Sequence, residues 1–410
     1  MTHNLKRQDE LLEYWQAAIQ AVSGRACVTQ HFSHHPCDHT NTFVIAVGKA
    51  ASTMTLGAID CLGDNLQQAV VFTKYDHTEP ALLKHSNVKV LESGHPIPDA
   101  NSLKSGQAML DFVKQIPSDA KLLLLISGGA SALVEILPEG FSLANLQALN
   151  QELLASGKPI DEINLLRKAI STIKGGKFAA MLNGIPTLAL MISDVPGDDP
   201  SVIGSGLVSP WTGGHLIEQL KLNHPSLAHI LHDGPEQHFS GFTSIENHII
   251  ANNTKACEAV IRLARSRGHT VFYQGQTLKK EIHQTAKQIT HQLIEGPPGV
   301  YIWGGESTVV LPKEHGKGGR NQALALLLAQ QLTERNDIQI LAAGSDGTDG
   351  PTDAAGGMVS GNTINTGKKL GLVADNFIHN AYPYLKATNT LFTSGPTGTN
   401  VMDFVFAFKT

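Results

Sequence analysis

A chain of 410 residues outgrows one ordinary hydrophobic core, and at 41% hydrophobic residues it has the material for two domains. Its net charge of −5 and isoelectric point near 6.4 argue against nucleic acid, which needs clustered Lys and Arg. Only 16% of residues are charged while 39 are Gly, which suits loops that bring backbone amides close to small anionic ligands.

The N-terminal stretch MTHNLKRQDELLEYWQAAIQAV reads as an amphipathic helix, with no signal-peptide core. No segment approaches 18 consecutive apolar residues, so no membrane span is expected and a cytoplasmic place is. Cys27, Cys37, Cys61 and Cys257 are scattered and read as reduced structural thiols. The nearby His34, His35 and His39 fit no defensible metal spacing and read as a solvated loop.

Short apolar runs followed by helical patterns then repeat along the chain. Expected strands are Phe43–Val47, Ala69–Thr73, Val88–Leu91, Leu122–Ile126, Thr187–Ile192, Val300–Trp303 and Ile338–Ala343. Expected helices are Asn101–Lys114, Ser142–Ala155, Asp161–Ile173, Thr254–Ser266 and Asn321–Thr333. Continuous Val, Ile and Leu without alternation predicts strands buried on both faces, hence a doubly wound, mostly parallel α/β sheet. Residues 210–243 break the rhythm, and a fresh strand–helix–strand pattern starts at Ile245. The expected domains are therefore 1–240 and 241–410, the second a smaller α/β unit.

In open α/β sheets ligands gather at the carboxyl ends of strands, and the chemistry-bearing motifs all follow expected strands. VGKA delivers Lys49 to such an end, where an ammonium suits a phosphate or carboxylate; it is not a Walker A sequence. SGHPIPD, stiffened by two prolines, offers His95 to a substrate and Asp99 or Asn101 as a helix cap. SGGAS places Ser127, Gly128, Gly129, Ala130 and Ser131 in a small-residue turn whose amides and two hydroxyls suit phosphate. EINLLRKAISTIKGGKFA carries Arg167 and Lys174 toward substrate anions and is expected to stop as a helix at Gly175–Gly176. Asp194 in SDVPGDDP can hold Mg²⁺, often through water, or orient a hydroxyl. Further on come Glu306 in WGGEST, Arg320 and Asn321 in the flexible loop GKGGRNQ, Asp346, Asp349 and Asp353 in GSDGTDGPTD, and the closing SGPTGTNVMD. Each residue also has a structural alternative as a cap, turn or solvated charge.

Together these segments resemble the two-domain glycerate kinases whose C-terminal half is called the MOFRL domain. The similarity runs from Val44 to Phe408, with nine segments in the same order. It implies a Rossmann-like N-terminal domain, a smaller α/β C-terminal domain and an active site in the cleft between them. It also implies transfer of the ATP γ-phosphate to D-glycerate, with 2-phosphoglycerate as product and Mg²⁺ as companion ion. Lys49 and Arg320 carry over as the basic pair of the family's site; phosphoryl-transfer chemistry then assigns Lys49 to charge stabilisation and Arg320 to glycerate or the moving phosphoryl group. Two departures are GSGLVSP at 204–210, where the family continues with SGP, and GSDG at 344–347, where GTDG is common. A hydroxypyruvate reductase is the main alternative, but no GxGxxG follows the first strand. A non-catalytic metabolite sensor and a kinase of another small hydroxy acid are the others. A homodimer is compatible with the sequence.

Overall fold

The computed structural model of the chain describes residues 2–36, 39–155, 160–211, 216–235, 238–312 and 314–410. Cys37 lies outside them. The chain divides into two compact units, Ser23–Ile250 and Met1–Val22 with Ala251–Thr410.

The first unit carries strands β1 (Thr42–Val47), β2 (Leu66–Lys74), β3 (Val88–Ser93), β4 (Lys121–Ile126), β5 (Thr187–Ile192) and β6 (Ile245–Ala251). They form one sheet in the order β3-β2-β1-β4-β5-β6. The pairs β3–β2, β2–β1, β1–β4 and β4–β5 are all parallel. Along β1 and through Leu122–Ile126 every residue is buried, as helices on both faces require. Numbering the helices along the chain, α1 is Thr2–Ala21; this unit adds α2 (Gly24–His34), α3 (Ala51–Leu62), α4 (Ala100–Val113), α5 (Ala130–Leu133), α6 (Leu143–Ala155), α7 (Ile160–Ile170), α8 (Lys177–Met181) and α9 (Ile217–Asn223). The strand order reverses direction between β1 and β4. This is the switch point at which doubly wound sheets open a crevice for ligands.

The second unit holds α10 (Asn253–Ser266), β7 (Val271–Tyr273), α11 (Ile282–Glu295), β8 (Gly299–Gly305), α12 (Arg320–Gln331), β9 (Ile338–Gly344), β10 (Gly356–Ser360), α13 (Thr363–Lys369), α14 (Ala381–Ala387), β11 (Leu391–Phe392) and β12 (Asp403–Lys409). Its sheet runs β11-β10-β9-β12-β8-β7. Only β7–β8 is parallel, and β12 sits antiparallel between β8 and β9 with every residue buried. Hence β8 and β9 point the same way and end beside the start of β12.

Two expectations need correction. Ile245–Ala251 does not open the C-terminal domain: its backbone pairs at the edge of the first sheet, so the boundary falls at 250 rather than 240. The N-terminal helix does not belong to the first unit. Its stripe Leu11, Tyr14, Trp15 and Ala18 is buried at helical spacing, α1 packs on α10 and β12, and Trp15 meets Phe392 edge-on at 5.1 Å.

Candidate active site

At the switch point the ends of β1 and β4 are sewn together. Ser127 N–H donates to Val47 O at 2.9 Å and Lys49 N–H to Gly128 O at 2.9 Å. Ser127 Oγ accepts from Ala50 N–H at 3.0 Å, and Thr73 donates its hydroxyl to Gly48 O at 3.1 Å. Gly48 sits at φ +124°, where a Cβ would lie 2.2 Å from Ser127 Oγ. Only glycine fits so close an approach.

Gly129 is the other glycine that matters. At φ +88°, a Cβ there would stand 3.1 Å from His95 Cδ2 and 3.3 Å from Lys49 Cγ. Three separate motifs, VGKA, SGHPIPD and SGGAS, therefore meet in one place. Lys49, His95 and Gly129 are all partly exposed there, on the edge where a ligand would arrive. Asp194 follows β5 by two residues at the same edge and is half-buried.

Several site residues take a different part from the expected one. Ser127 is fully buried and spends its hydroxyl bracing the first loop, so the SGGAS turn presents one hydroxyl, not two. Ser131 shares a 2.5 Å hydrogen bond with Ser205, in the GSGLVSP departure. Ser131 itself lies in a single helical turn, Ala130–Leu133, too short for a strong dipole. Asp99, expected as a cap, forms a reciprocal capping box with Ser102 and also accepts from the Tyr75 hydroxyl at 2.6 Å.

Lys174 is buried and ion-paired with Glu135, which sequence reasoning missed. The other Glu135 oxygen accepts from Ser171 Oγ at 2.5 Å and Ile136 N–H at 3.0 Å. Neither charge is left over for a substrate. Gly175–Gly176 does not end the preceding helix, which stops at Ile170; Gly176 instead caps α8. The pair is small because a Cβ on Gly175 would strike the Trp211 ring. Lys177 donates to Ser171 O at 2.8 Å and Lys168 O at 3.0 Å, and burial lowers its pKa to about 8. It is a structural cation. Arg167, half-buried on α7, donates Nε–H to Asn150 Oδ1 at 2.7 Å, and burial alone lowers its pKa.

In the second unit the carboxyl ends of β8 and β9, the start of β12 and the N-terminus of α12 converge. Arg320 donates from Nε to Asp403 Oδ2 at 2.6 Å and from Nη2 to Oδ1 at 2.9 Å, while Nη1 lies 2.9 Å from Glu306 Oε1. Burial works against its charge, but Asp403, then Glu306 and Asp349, more than offset this and hold its pKa above the ordinary value. Asn253, fully buried, donates to the carbonyls of Val401 at 2.9 Å and Asp403 at 3.1 Å. Asp403 and Asn253 were both missed, and the terminal run DFVFAFK was the signal that a buried strand carried the first.

Asp349 is a clamp rather than a ligand. It accepts from the backbone N–H of Asn321 at 3.1 Å and of Gln322 at 2.8 Å, occupying the N-terminus of α12. Burial raises its pKa to about 6 against the pull of those amides. Asn321 is buried and turned toward Asp349. Asp346 accepts from Thr348 N–H at 3.0 Å in a local turn. The glycines of GKGGRNQ are small because residues 380–381 and Asp349 press against them: a Cβ on Gly316 would lie 2.2 Å from Asn380 and one on Gly319 2.3 Å from Asp349. The loop is packed, not loose.

Residues 10–218 match a family described as a domain of unknown function, DUF4147, and residues 299–403 match the MOFRL family. A D-glycerate 2-kinase of Thermotoga maritima is 38% identical, covering 96% of this chain and 96% of its own. The chain belongs to this DUF4147–MOFRL family. A glycerate 2-kinase of Pyrococcus horikoshii is 36% identical over 90% of this chain and 87% of its own. The crystal structure of a Thermotoga maritima glycerate kinase superposes on this family member with a TM-score of 0.86 at 34% identity, covering 99% of this chain and 100% of that one.

Among the described residues no group of three or more His, Cys, Asp or Glu side chains could hold a metal ion. Mg²⁺ needs fewer, since it keeps several waters and takes one or two carboxylates beside the phosphates it accompanies. Asp194 fits that pattern; Asp349, spent on amides, does not. No helix among the described residues is long and apolar enough to cross a membrane.

Proposed function

We propose that this chain transfers the γ-phosphoryl group of ATP to the 2-hydroxyl of D-glycerate, releasing ADP and 2-phosphoglycerate. One observation carries the reading: Lys49 and His95 pack against Gly129 at the topological switch point of a 3-2-1-4-5-6 sheet. The family's named kinases supply the substrate.

Phosphoryl transfer asks a protein for positioning and charge neutralisation more than covalent chemistry. In this reading the Gly128–Ser131 turn receives a phosphate, and Lys49 neutralises charge growing on the transferred group. Asp194 orients the acceptor hydroxyl or holds Mg²⁺ that arrives with ATP. Arg320, fixed by Asp403 and Glu306, is a pre-aimed cation of the second unit, suited to an anionic group. His95 contacts the acceptor. The reductase alternative loses ground because the turn after β1 reads GKAA, without the glycine pattern that seats a dinucleotide.

The test is ADP release from Mg-ATP by wild-type protein and by Lys49→Met. Glycerate-dependent ADP that falls at least 100-fold in the variant supports the reading (roughly the loss of one electrostatic stabiliser). Equal turnover by the two proteins would refute the role of Lys49.

A further inference from the structure

Arg25, Arg267, Arg320 and Arg335 each pair with a carboxylate. Arg167 does not among the described residues, although it is half-buried, where an uncompensated charge is costly. Its Nε–H is committed to Asn150, which fixes the plane of the guanidinium and leaves the two terminal nitrogens.

Arg167 lines a cavity of about 140 Å³ together with Pro96, Ser131, Asn150, Asn164, Lys174 and Ser205. That is well short of the several hundred Å³ a drug-sized ligand occupies, but it suits an acid of a few heavy atoms. Within it Lys174 is already neutralised by Glu135, so the net positive charge of the cavity belongs to Arg167. The walls run on from the switch point: Pro96 follows His95, and Ser131 stands two residues after Gly129.

We infer that Arg167 binds the carboxylate of the acceptor acid, held in plane by Asn150, and so selects a small hydroxy acid over its uncharged analogue. The planar fork matches two carboxylate oxygens, whereas Lys174 and Lys49 could offer only point charges. The bound anion supplies the counter-charge that the fold withholds. This assignment rests on the kinase reading and refines it.

The test compares wild type, Arg167→Gln and Arg167→Lys with D-glycerate and with glycerol as acceptor. Arg167→Gln should raise the KM for glycerate by roughly 10–150-fold, the loss of a charge-assisted hydrogen bond. The KM for ATP and turnover of glycerol should stay unchanged, and Arg167→Lys should fall between. A purely structural role would instead disturb both substrates alike. Should Arg167→Gln not fold, Asn150→Ala, which leaves the guanidinium but unfixes its plane, should raise the KM for glycerate alone. An active wild type whose variants keep a normal KM for glycerate would overturn this inference and leave the kinase reading standing. A wild type that releases no ADP with glycerate would overturn both.

Discussion

Asp403 grips Arg320 through two parallel contacts, Nε to Oδ2 at 2.6 Å and Nη2 to Oδ1 at 2.9 Å. Asp403 is the first residue of the central strand β12, flanked by Gly305 and Gly344 in the register. Because its side chain is almost wholly buried, the guanidinium is anchored to a buried strand paired on both sides.

Asp403→Asn should therefore keep the shape but lose the charge and one arm of the fork. The expected outcome is a fall in kcat of about 100-fold, as for a misplaced reacting group. Stability should drop by only about 1–3 kcal/mol. Steady-state kinetics alongside a thermal melt separates the two effects.

Gly129→Ala places a methyl 3.1 Å from His95 Cδ2 and 3.3 Å from Lys49 Cγ, at a positive φ that L residues disfavour. The backbone penalty should be about 1–2 kcal/mol. Activity should fall by at least tenfold beyond what the small loss of folded protein explains. Near-normal activity at full folding would show that the approach of these three residues is immaterial.

The first unit was largely legible because its signals are local. A run such as LLLLI followed by SGGAS states both the buried strand and the small-residue turn, and VGKA and SGHPIPD do the same. What was hidden depends on partners far apart in sequence. Lys174 reads as an available cation until Glu135, 39 positions away, is seen to neutralise it. Arg320 and Asp403 are 83 positions apart, and Asn253 reaches Asp403 across 150. Asp349 resembles a metal ligand by composition, yet its oxygens are taken by the first amides of α12. The domain boundary failed for the same reason, since only strand pairing shows that Ile245–Ala251 belongs to the first sheet.

Lys174→Met should destabilise the protein by about 3–5 kcal/mol, because it strands the buried Glu135 carboxylate. Pairing it with Glu135→Leu should recover much of that loss, since the stranded charge goes too. Urea unfolding of the single and double variants measures the difference.

Asp349 gives a pH signature. Its folded carboxyl keeps a proton to about pH 6, while the unfolded one ionises near 3.8. Between those values the folded state binds more protons, so the stability owed to this group falls as pH rises and is flat above about pH 6. Measured against Asp349→Asn, wild-type stability should decline by up to about 3 kcal/mol from about pH 4 to 6. Denaturant midpoints across that range check it; a difference that does not vary with pH would contradict it.

The most direct measurement is phosphorus NMR of the products formed from Mg-ATP and D-glycerate, with an NADH-plus-hydroxypyruvate reaction in parallel. The account predicts ADP and a phosphate ester on the 2-hydroxyl, appearing only when glycerate is present. NADH oxidation with hydroxypyruvate, and no glycerate-dependent ADP, would contradict it.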